Sequence, residues 1–339
     1  MAGVRTEGCN VTMKDIARIA GVSQSTVSRI LNDTPVSVPV SQKTRERVLA
    51  AAEEHGYRPN PLARALRGAP TMLVGAIVRD MTDPFFAVAV DALASAAKTR
   101  GYSVVLGHAR SRADDALALA AMLESRHCDA ILLVGDFHEQ PLIDDLRRSR
   151  IPVVALWHGV QSHGFHSVNV DNVAGIRLAL GHLVGLGHTR IGLVGGAALG
   201  DIREREAAFR DAAVELGLSL PDGNVQRVEN TFAAAGPALD RLLGQASAPT
   251  AIVASTDVLA IGMLHAAAEL GVRVPDDLSI VGFDDIPFAA ATVPSLTTVH
   301  MPVTEMCGAA LEIAVTVDRS APPEARTFEP TLVVRASTR

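Results

Sequence analysis

Two short stretches near the start of the chain place apolar residues at helical spacing, with a glycine between them. In the first stretch, Ile16, Ile19 and Ala20 fall on one helical face. In the second, the apolar face consists of Val27, Ile30 and Leu31. Gly21 lies between the two stretches and suits a tight turn, because glycine tolerates a positive φ. The pattern predicts two short helices held at an angle, an arrangement that fits the DNA major groove.

Hydroxyl side chains mark the starts of these helices and of a third one. Thr12 precedes Asp15 by three residues, which is typical of a capping box, and Ser23 can cap the second helix. Ser41 opens a third segment, whose apolar face carries Val48, Leu49 and Ala52. The sequence therefore predicts a three-helix head over residues 11–58.

The polar face of the second predicted helix carries short polar side chains and one arginine. At about 100° per residue, this face holds Ser25, Ser28, Arg29 and Asn32, with Gln24 at its flank. Such groups suit hydrogen bonds to base edges and phosphates. The alternative is a small helical bundle whose polar face only meets solvent.

Charge separates this head from the rest of the chain. Residues 1–70 carry 10 Lys and Arg against 6 Asp and Glu, whereas residues 71–339 carry 21 against 31. A basic head on an acidic body is the asymmetry expected when only the head meets a polyanion. The charge pattern therefore favours DNA binding by the head.

A segment with two prolines follows the head. Pro59 and Pro61 disfavour helix just before them, and residues 62–67 are compatible with a helix that stops at Gly68. So short a helix is unstable alone in water, because nucleation is costly. We expect this hinge, residues 59–70, to order only when something holds it. The alternative is a plain interdomain linker.

From residue 71 onward, short apolar runs alternate with longer amphipathic ones. The apolar runs predict strands at residues 72–78, 103–106, 130–134, 152–156, 191–194, 251–254 and 279–283. The amphipathic runs predict helices at residues 84–100, 112–126, 172–186, 203–216, 232–243 and 258–270. This alternation predicts parallel sheets with helical crossovers, in one lobe before and another after about residue 170. Ligands bind beyond the carboxyl ends of such strands, so two facing lobes would form a ligand cleft there.

Carboxylates, arginines, hydroxyls and aromatic rings follow those predicted strands. They include Asp80, Asp83, Phe85, Phe86, Asp136, Trp157, His158, Asp201, Arg203, Arg205, Ser255, Thr256, Asp257, Asp284 and Asp285. Carboxylate and guanidinium groups hydrogen-bond to sugar hydroxyls, and flat rings stack on apolar faces of a ligand. The set predicts a polyhydroxylated or heterocyclic small molecule as the ligand.

Other classes of protein find little support in the sequence. No apolar run reaches the roughly 18 residues of a membrane helix, no secretory signal opens the chain, and the cysteines are isolated. We therefore expect a cytoplasmic protein with no membrane partner and no cofactor. A metal site at His158, His163 and His166 lacks a clear fourth ligand. An enzyme is the main alternative from another class, but no phosphate loop or nucleophile elbow occurs in the sequence.

Many short motifs occur in a fixed order along the chain. In the head they are KDIA at 14–17, GVS at 21–23 and TVSR at 26–29. In the body they are DPFF at 83–86, LGHTRI at 186–191, VGFDD at 281–285, PSLTTV at 294–299 and PTLVVRAST at 330–338. Together they resemble the lactose/galactose-repressor (LacI/GalR) family of bacterial transcription regulators. The resemblance implies an all-α helix-turn-helix head, a hinge helix and a two-lobed α/β domain like that of periplasmic binding proteins, with Rossmann-like, doubly wound parallel sheets.

The resemblance also implies which residues contact DNA. The helix of residues 23–32 would enter the major groove, and the hinge helix of residues 61–67 would fold on DNA so that Leu66 wedges into the minor groove. The implied contact set is Thr12, Ser23, Gln24, Ser25, Thr26, Ser28, Arg29, Asn32, Asn60, Ala63, Leu66 and Arg67. Of these, Gln24, Ser25 and Arg29 would read bases. Family members act as dimers, so two heads would read a near-palindromic, double-stranded operator.

For residues 71–339 the resemblance implies an effector-binding and dimerisation domain. The first lobe would take about residues 71–168 and 300–327, and the second about residues 169–299 and 328–339. Asp284 and Arg205 match the family's usual polar anchors for the effector. The full implied set is Asp83, Phe85, Phe86, Trp157, His158, Arg203, Arg205, Phe232, Thr256, Asp257 and Asp284.

The resemblance implies a homodimeric repressor whose effector is a sugar or sugar derivative, with a nucleobase or nucleoside as the alternative. Two departures from the family change the hydrogen-bonding pattern of the cleft. Thr256 and Asp83 each stand where asparagine is common, so no relative's effector is carried over. A periplasmic sugar carrier is the alternative binding module, and the DNA-reading head argues against it.

Overall fold

The computed structural model describes residues 11–31, 40–57, 70–157, 164–196, 200–317 and 322–339. The chain divides into two compact units, residues 1–71 and residues 72–339. Most of the predicted hinge lies outside the described residues. So do some of the predicted contact residues, namely Asn32, Asn60, Ala63, Leu66, Arg67 and His158.

The described part of the N-terminal unit contains three helices, as the apolar spacing predicts. They are α1 (Met13–Ile19), α2 (Gln24–Leu31) and α3 (Gln42–Glu54). Ile16, Val27 and Val48, one from each helix, are fully buried in a shared apolar core. Burying a side chain of this size stabilises the fold by about 1.5–3 kcal/mol, so three contacts of this kind hold the small unit together.

Local sequence fixes the start of α1 and the turn into α2. The Thr12 hydroxyl accepts a hydrogen bond from the Asp15 amide (3.3 Å), and the Asp15 carboxylate accepts one from the Thr12 amide (3.0 Å). This is the predicted capping box. Gly21 has a φ of +59°, a left-handed conformation that glycine adopts without steric cost. The chain can therefore reverse between α1 and α2 within four residues.

The first lobe of the C-terminal unit is built on a parallel sheet. Its strands are β1 (Leu73–Val78), β2 (Ser103–His108), β3 (Ala130–Val134), β4 (Val153–Leu156), β5 (His166–Val170) and β11 (Ala325–Phe328). Their spatial order is β11-β5-β4-β3-β1-β2. The helices of this lobe are α4 (Pro84–Thr99), α5 (Ala113–Ser125), α6 (Gln140–Arg147) and α12 (Val303–Thr316). Successive side chains of β3 point to opposite faces of the sheet. Leu132 packs with α4 and α12, whereas Ile131 packs with α5 and α6.

The second lobe repeats this design. Its strands are β6 (Ile191–Gly196), β7 (Val225–Val228), β8 (Ala251–Ala254), β9 (Ser279–Asp284), β10 (Thr297–His300) and β12 (Thr331–Val333). Their order is β12-β10-β9-β8-β6-β7, and β12 alone among these runs antiparallel to its neighbour. The helices are α7 (Asn172–Gly185), α8 (Gly200–Glu215), α9 (Phe232–Leu243), α10 (Asp257–Glu269) and α11 (Pro287–Ala291). This doubly wound, two-sheet architecture confirms the predicted fold class.

In the described residues the chain passes between the two sheets at three places. These are Asp171 between β5 and α7, residues 301–302 between β10 and α12, and residues 329–330 between β11 and β12. Each lobe is therefore assembled from separate parts of the sequence. The carboxyl ends of β1, β3, β6 and β9 lead to the residues that line the space between the lobes.

Candidate ligand cleft and DNA-reading helix

The polar residues at the start of α2 form a small cluster of hydroxyl groups. The Ser23 hydroxyl lies 2.7 Å from the Ser25 hydroxyl and 2.8 Å from the Thr26 hydroxyl, and it accepts a hydrogen bond from the Thr26 amide. Ser23 thus caps α2, as its position predicts. Gln24, Ser25 and Arg29 are exposed on the opposite side from Val27 and Ile30, which are buried. The helix therefore presents a short polar face suited to base edges.

The cleft between the lobes is organised around the Arg205 side chain, which is only 2% exposed. Arg205 Nε donates to Asn172 Oδ1 (2.8 Å), and Nη1 donates to the Ser255 carbonyl (2.6 Å) and to Asp284 Oδ1 (3.3 Å). The guanidinium carbon lies 3.6 Å from the centre of the Phe283 ring, a cation–π position. These contacts fix the guanidinium plane from three elements, α7, β8 and β9.

The carboxylates of Asp284 and Asp285 diverge at the end of β9. Both residues have a positive φ, +119° and +55°, which turns the chain sharply at this point. Asp284 faces Arg205 in the cleft, whereas Asp285 binds Arg335 Nη2 (2.6 Å) and His300 Nδ1 (3.0 Å). Adjacent carboxylates therefore serve two different networks, and only Asp284 of this pair can meet a ligand in this cleft.

Three aromatic rings form one wall of the cleft. Phe85 packs edge-to-face against Phe86, with ring centres 5.3 Å apart, and against Trp157, with ring centres 4.9 Å apart. Such edge-to-face pairs add about 0.5–1.5 kcal/mol beyond the area they bury. Trp157 has a φ of +55°, so the end of the β4 segment turns to present the indole to the cleft.

Hydrogen bonds between the lobes close the cleft. Asp83 Oδ1 caps α4 by accepting from the Phe85 amide (2.9 Å), and Asp83 Oδ2 accepts from Asn230 Nδ2 of the second lobe (2.9 Å). Asn230 Oδ1 in turn accepts from the Thr256 hydroxyl (2.6 Å). Asp136 Oδ2 accepts from the Gly200 amide, again across the cleft (2.6 Å). The lobes approach so closely that the remaining free volume is about 30 Å³.

Burial changes the acidity of the cleft carboxyls. It raises the pKa of Asp83, and it raises the pKa of Asp284 well above its ordinary value although Arg205 acts in the opposite direction. A buried carboxylate without enough positive charge nearby is costly, because the charged form loses its hydration. The cleft therefore holds acidic groups that a suitable ligand could stabilise in their charged form.

Most of the predicted effector residues come together in this cleft. The lining includes Asp83, Phe85, Phe86, Trp157, Arg205, Thr256 and Asp284. Whether they contact an effector stays a prediction.

The structure places three other predicted residues away from the cleft lining. Arg203 lies on the exposed side of α8, because a helix turns about 200° over the two residues to Arg205. Phe232 opens α9 and is 45% exposed at the surface. The Asp257 carboxylate is buried and binds the Thr298 hydroxyl and the Ile286 amide instead. Whether these three residues contact an effector stays a prediction.

Some cleft residues were not in the predicted effector set. They are Arg79, Gly135, Asp136, Asp201, Ile202, Asn230 and Met301, to which Asn172 adds a hydrogen bond to Arg205. Asp136 and Asp201 do follow predicted strands, so the sequence could have identified them as cleft residues. Asn230 follows β7, whose four residues were not predicted as a strand.

Two further kinds of site were sought in the described residues. Their His, Cys, Asp and Glu side chains form no group of three or more that could hold a metal ion. Among the same residues, no helix combines the length and the apolar character needed to cross a membrane.

Two family models match this chain. Residues 12–60 match the bacterial regulatory proteins of the lacI family, and residues 180–338 match a periplasmic binding protein-like domain. The chain is also 31% identical over 330 residues to the HTH-type transcriptional repressor PurR of Photobacterium profundum, in a match that covers 96% of this chain and 98% of the relative.

Solved structures extend the similarity to nearly the whole fold. A lac repressor dimer bound to operator and the anti-inducer ONPF superposes with a TM-score of 0.85 at 27% identity, over 97% of this chain and 99% of that chain. A complex of the transcriptional regulator CelR with cellobiose gives a TM-score of 0.71 at 28% identity, over 96% and 99% of the two chains.

Proposed function

The chain belongs to the LacI family of bacterial regulatory proteins, and from this we propose that it is a cytoplasmic transcriptional repressor whose operator affinity is set by a small molecule. The observation that carries the proposal is the cleft itself. Arg205, Asp284 and the wall formed by Phe85, Phe86 and Trp157 meet between two lobes that only three segments of the described chain connect. A ligand bound there contacts both lobes at once and so acts on their relative position.

The head supplies the DNA contact in this proposal. Gln24, Ser25 and Arg29 on the exposed face of α2 read base edges, while Thr12, Ser23, Thr26 and Ser28 and the hinge residues Asn60, Ala63, Leu66 and Arg67 contact backbone and minor groove. An arginine can bind guanine bidentately, which discriminates bases by about 1–3 kcal/mol. The body couples to this contact through a reciprocal free energy of about 1–3 kcal/mol, so operator DNA shifts effector affinity by the same factor.

A homodimer is part of the same proposal. The lac repressor structure similar to this chain is a dimer bound to operator. The second lobe also exposes large apolar side chains at and just after α11, where Phe288 is 58% exposed and Val293 is 96% exposed. Exposed apolar groups of this size suit an interface between copies.

A sugar or sugar derivative is the effector that we propose first. Carboxylate and guanidinium groups beside aromatic rings suit a polyhydroxylated ring, and the similar regulator CelR was solved with cellobiose. A nucleobase or nucleoside is the second candidate, favoured by the similarity to repressors named PurR.

Selection of DNA by the purified full chain tests the proposal. A random-sequence duplex pool is bound at two salt concentrations, and the retained fraction is sequenced. Enrichment of a palindrome supports a dimeric regulator and supplies a probe for effector screening. A steep salt dependence without an enriched sequence would mean phosphate contact only, and it would contradict the base-reading role of α2.

A further inference from the structure

The described lining of the ligand cleft holds more carboxyl groups than guanidinium groups. Two guanidinium groups, Arg79 and Arg205, line it together with four carboxylates, namely Asp83, Asp136, Asp201 and Asp284. Arg205 already lies 3.3 Å from Asp284 and 3.8 Å from Asp201. Even with both arginines counted in full, the described lining holds more carboxylates than guanidinium groups.

Arg79 lies beside an aromatic ring of the cleft wall. Its guanidinium carbon lies 5.4 Å from the centre of the Phe86 ring, which is a cation–π position. It lowers the pKa of Asp83, but burial outweighs it and the pKa of Asp83 is raised. Asp136 has His138 Nδ1 3.5 Å from its Oδ2, so the carboxylate that offers an unused oxygen to a ligand is Asp201.

Two buried polar atoms in the cleft lining have no hydrogen-bond partner among the described residues. One is Asp201 Oδ1, an acceptor, and the other is the indole Nε1 of Trp157, a donor on a side chain that is only 4% exposed. A buried polar atom left unsatisfied costs about 1–3 kcal/mol. A ligand that donates to Asp201 and accepts from Trp157 satisfies both atoms, although the lobes must open to admit it because the closed cleft leaves only about 30 Å³ free.

We propose that the effector is a small hydroxylated amine, whose ammonium group binds Asp201 Oδ1 and whose hydroxyl or ring oxygen accepts from Trp157 Nε1. This inference rests on the proposed function, since it takes the cleft as the effector site. A neutral hydroxyl can donate to a carboxylate but leaves its charge in place, whereas an ammonium group donates and also neutralises. The rings of Phe85 and Trp157 favour a cation as well.

The same charge balance disfavours anionic effectors. A sugar phosphate, a uronic acid or a nucleotide would bring further negative charge into a cleft that has a net excess of carboxylates. Like charges at short range in a partly buried site repel strongly, because little water screens them. Arg79 is the group in the described lining that could favour an anion. The phosphate form of each test ligand therefore tests whether Arg79 outweighs the carboxylates.

Calorimetry with matched ligands tests the inference on the full-length chain. The probes are hexoses and nucleosides in amine, hydroxyl and phosphate forms, such as D-glucosamine, D-glucose and D-glucose 6-phosphate with their galactose and mannose counterparts. We expect at least one amine to bind at least tenfold more tightly than its hydroxyl counterpart, and no phosphate form to bind more tightly than its amine.

A charge-removing variant links that preference to the cleft. Asp201→Asn keeps the shape of the side chain and should reduce the amine's advantage to less than threefold. Asp211→Asn removes a charge from an exposed position on the same helix, α8, and should leave the advantage unchanged. If Asp201→Asn melts at a clearly lower temperature, Asp201→Ser replaces it, because serine also keeps a hydrogen-bonding oxygen without the charge.

The outcomes separate this inference from the proposed function. Equal binding of amine and hydroxyl forms, tighter binding of a phosphate, or no amine binding at 10 mM (about −2.7 kcal/mol) overturns the inference. A neutral ligand could instead release operator DNA and fail to bind Asp284→Ala. That result would support the cleft as the effector site but overturn the preference for an amine. An amine that binds equally well to Asp284→Ala and leaves operator binding unchanged would overturn both.

Discussion

Arg205 Nη1 and Asp284 Oδ1 lie 3.3 Å apart, and both side chains are almost completely buried. Arg205 belongs to α8, and Asp284 is the last residue of β9. The pair therefore fixes a helix of the second lobe against the end of a central strand of its sheet. Removing one member of such a pair leaves the other charge buried without a partner, which costs about 3–5 kcal/mol. The pair is therefore better understood as a device that orients ligand-binding groups than as a source of stability.

Asp284→Ala should abolish the response to effector while leaving operator binding intact. The substitution removes a polar anchor from the cleft but does not change the N-terminal unit. We also expect the free energy of unfolding to fall by about 3–5 kcal/mol. Anisotropy of labelled operator, with and without effector, measures the response, and urea unfolding measures the stability. Asp222→Ala at an exposed turn is the control, and a retained effector response in Asp284→Ala would place the effector elsewhere.

Arg29→Ala should weaken specific operator binding much more than non-specific binding. Arg29 is exposed on α2, on the face opposite Val27 and Ile30. Loss of one base contact should cost about 1–3 kcal/mol of discrimination. Competition between operator and a scrambled duplex measures the ratio. Arg18→Ala removes an equally exposed arginine from α1 and should change the ratio less, whereas equal losses for both duplexes in Arg29→Ala would rule out base reading.

Asp257 should make stability depend on pH near neutrality. Burial raises the pKa of this carboxyl from an ordinary value of 3.8 to about 7, so the folded protein favours the protonated form. Its stabilising contribution is complete below about pH 4 and is lost as the pH rises through 7, with a slope of up to about 1.4 kcal/mol per pH unit. Urea unfolding between pH 5 and pH 8 should show stability falling with pH. Asp257→Asn should reduce that fall, to which the raised pKa values of Asp83 and Asp284 also contribute, whereas the exposed variant Asp240→Asn should keep it.

Gly262→Ala should destabilise the second lobe. A Cβ at this position of α10 would lie 2.4 Å from the Phe232 carbonyl and 2.7 Å from the Ala235 Cβ, both on α9. The backbone carbonyl can move away only if its helix moves. We therefore expect the free energy of unfolding to fall by about 1–3 kcal/mol. Gly181→Ala in α7 meets nothing within 4 Å and should be neutral or stabilise by up to about 1 kcal/mol. Thermal unfolding of both variants measures the difference, and equal stability would contradict the close helix contact.

Hydrophobic patterning predicts most helices and strands of residues 72–339, but not all of them. The predicted strands and helices occur within three residues of their predicted ends. The helix α12 was not predicted, although its buried residues Val303, Met306 and Ala310 recur at helical spacing and Glu305 and Glu312 are exposed. The strand β7 was also missed: it has only four residues, of which three are partly buried and the fourth, Arg227, is exposed.

Site prediction from the sequence depends on the direction in which a side chain points. Thr256 and Asp257 are adjacent after β8, yet only Thr256 lines the cleft, because Asp257 already belongs to α10 and its carboxylate binds the Thr298 hydroxyl. Arg203 and Arg205 differ in the same way on α8. The sequence locates the strand ends at which a cleft forms, but the rotation of each residue about its helix decides which side chain reaches the ligand.

The order in which the lobes can be completed during synthesis follows from the strand β11. Residues 325–328 form the outer strand of the first sheet beside β5, and α12 covers the apolar face of β3 and β4. The ribosome therefore makes nearly the whole second lobe before the first lobe receives its last helix and its edge strand. A nascent chain of about 300 residues would expose the uncovered faces of Leu132 and Val154. Such a chain is a substrate for chaperones and for proteases, so interrupted translation should yield fragments that are cleared rather than fragments that bind DNA stably.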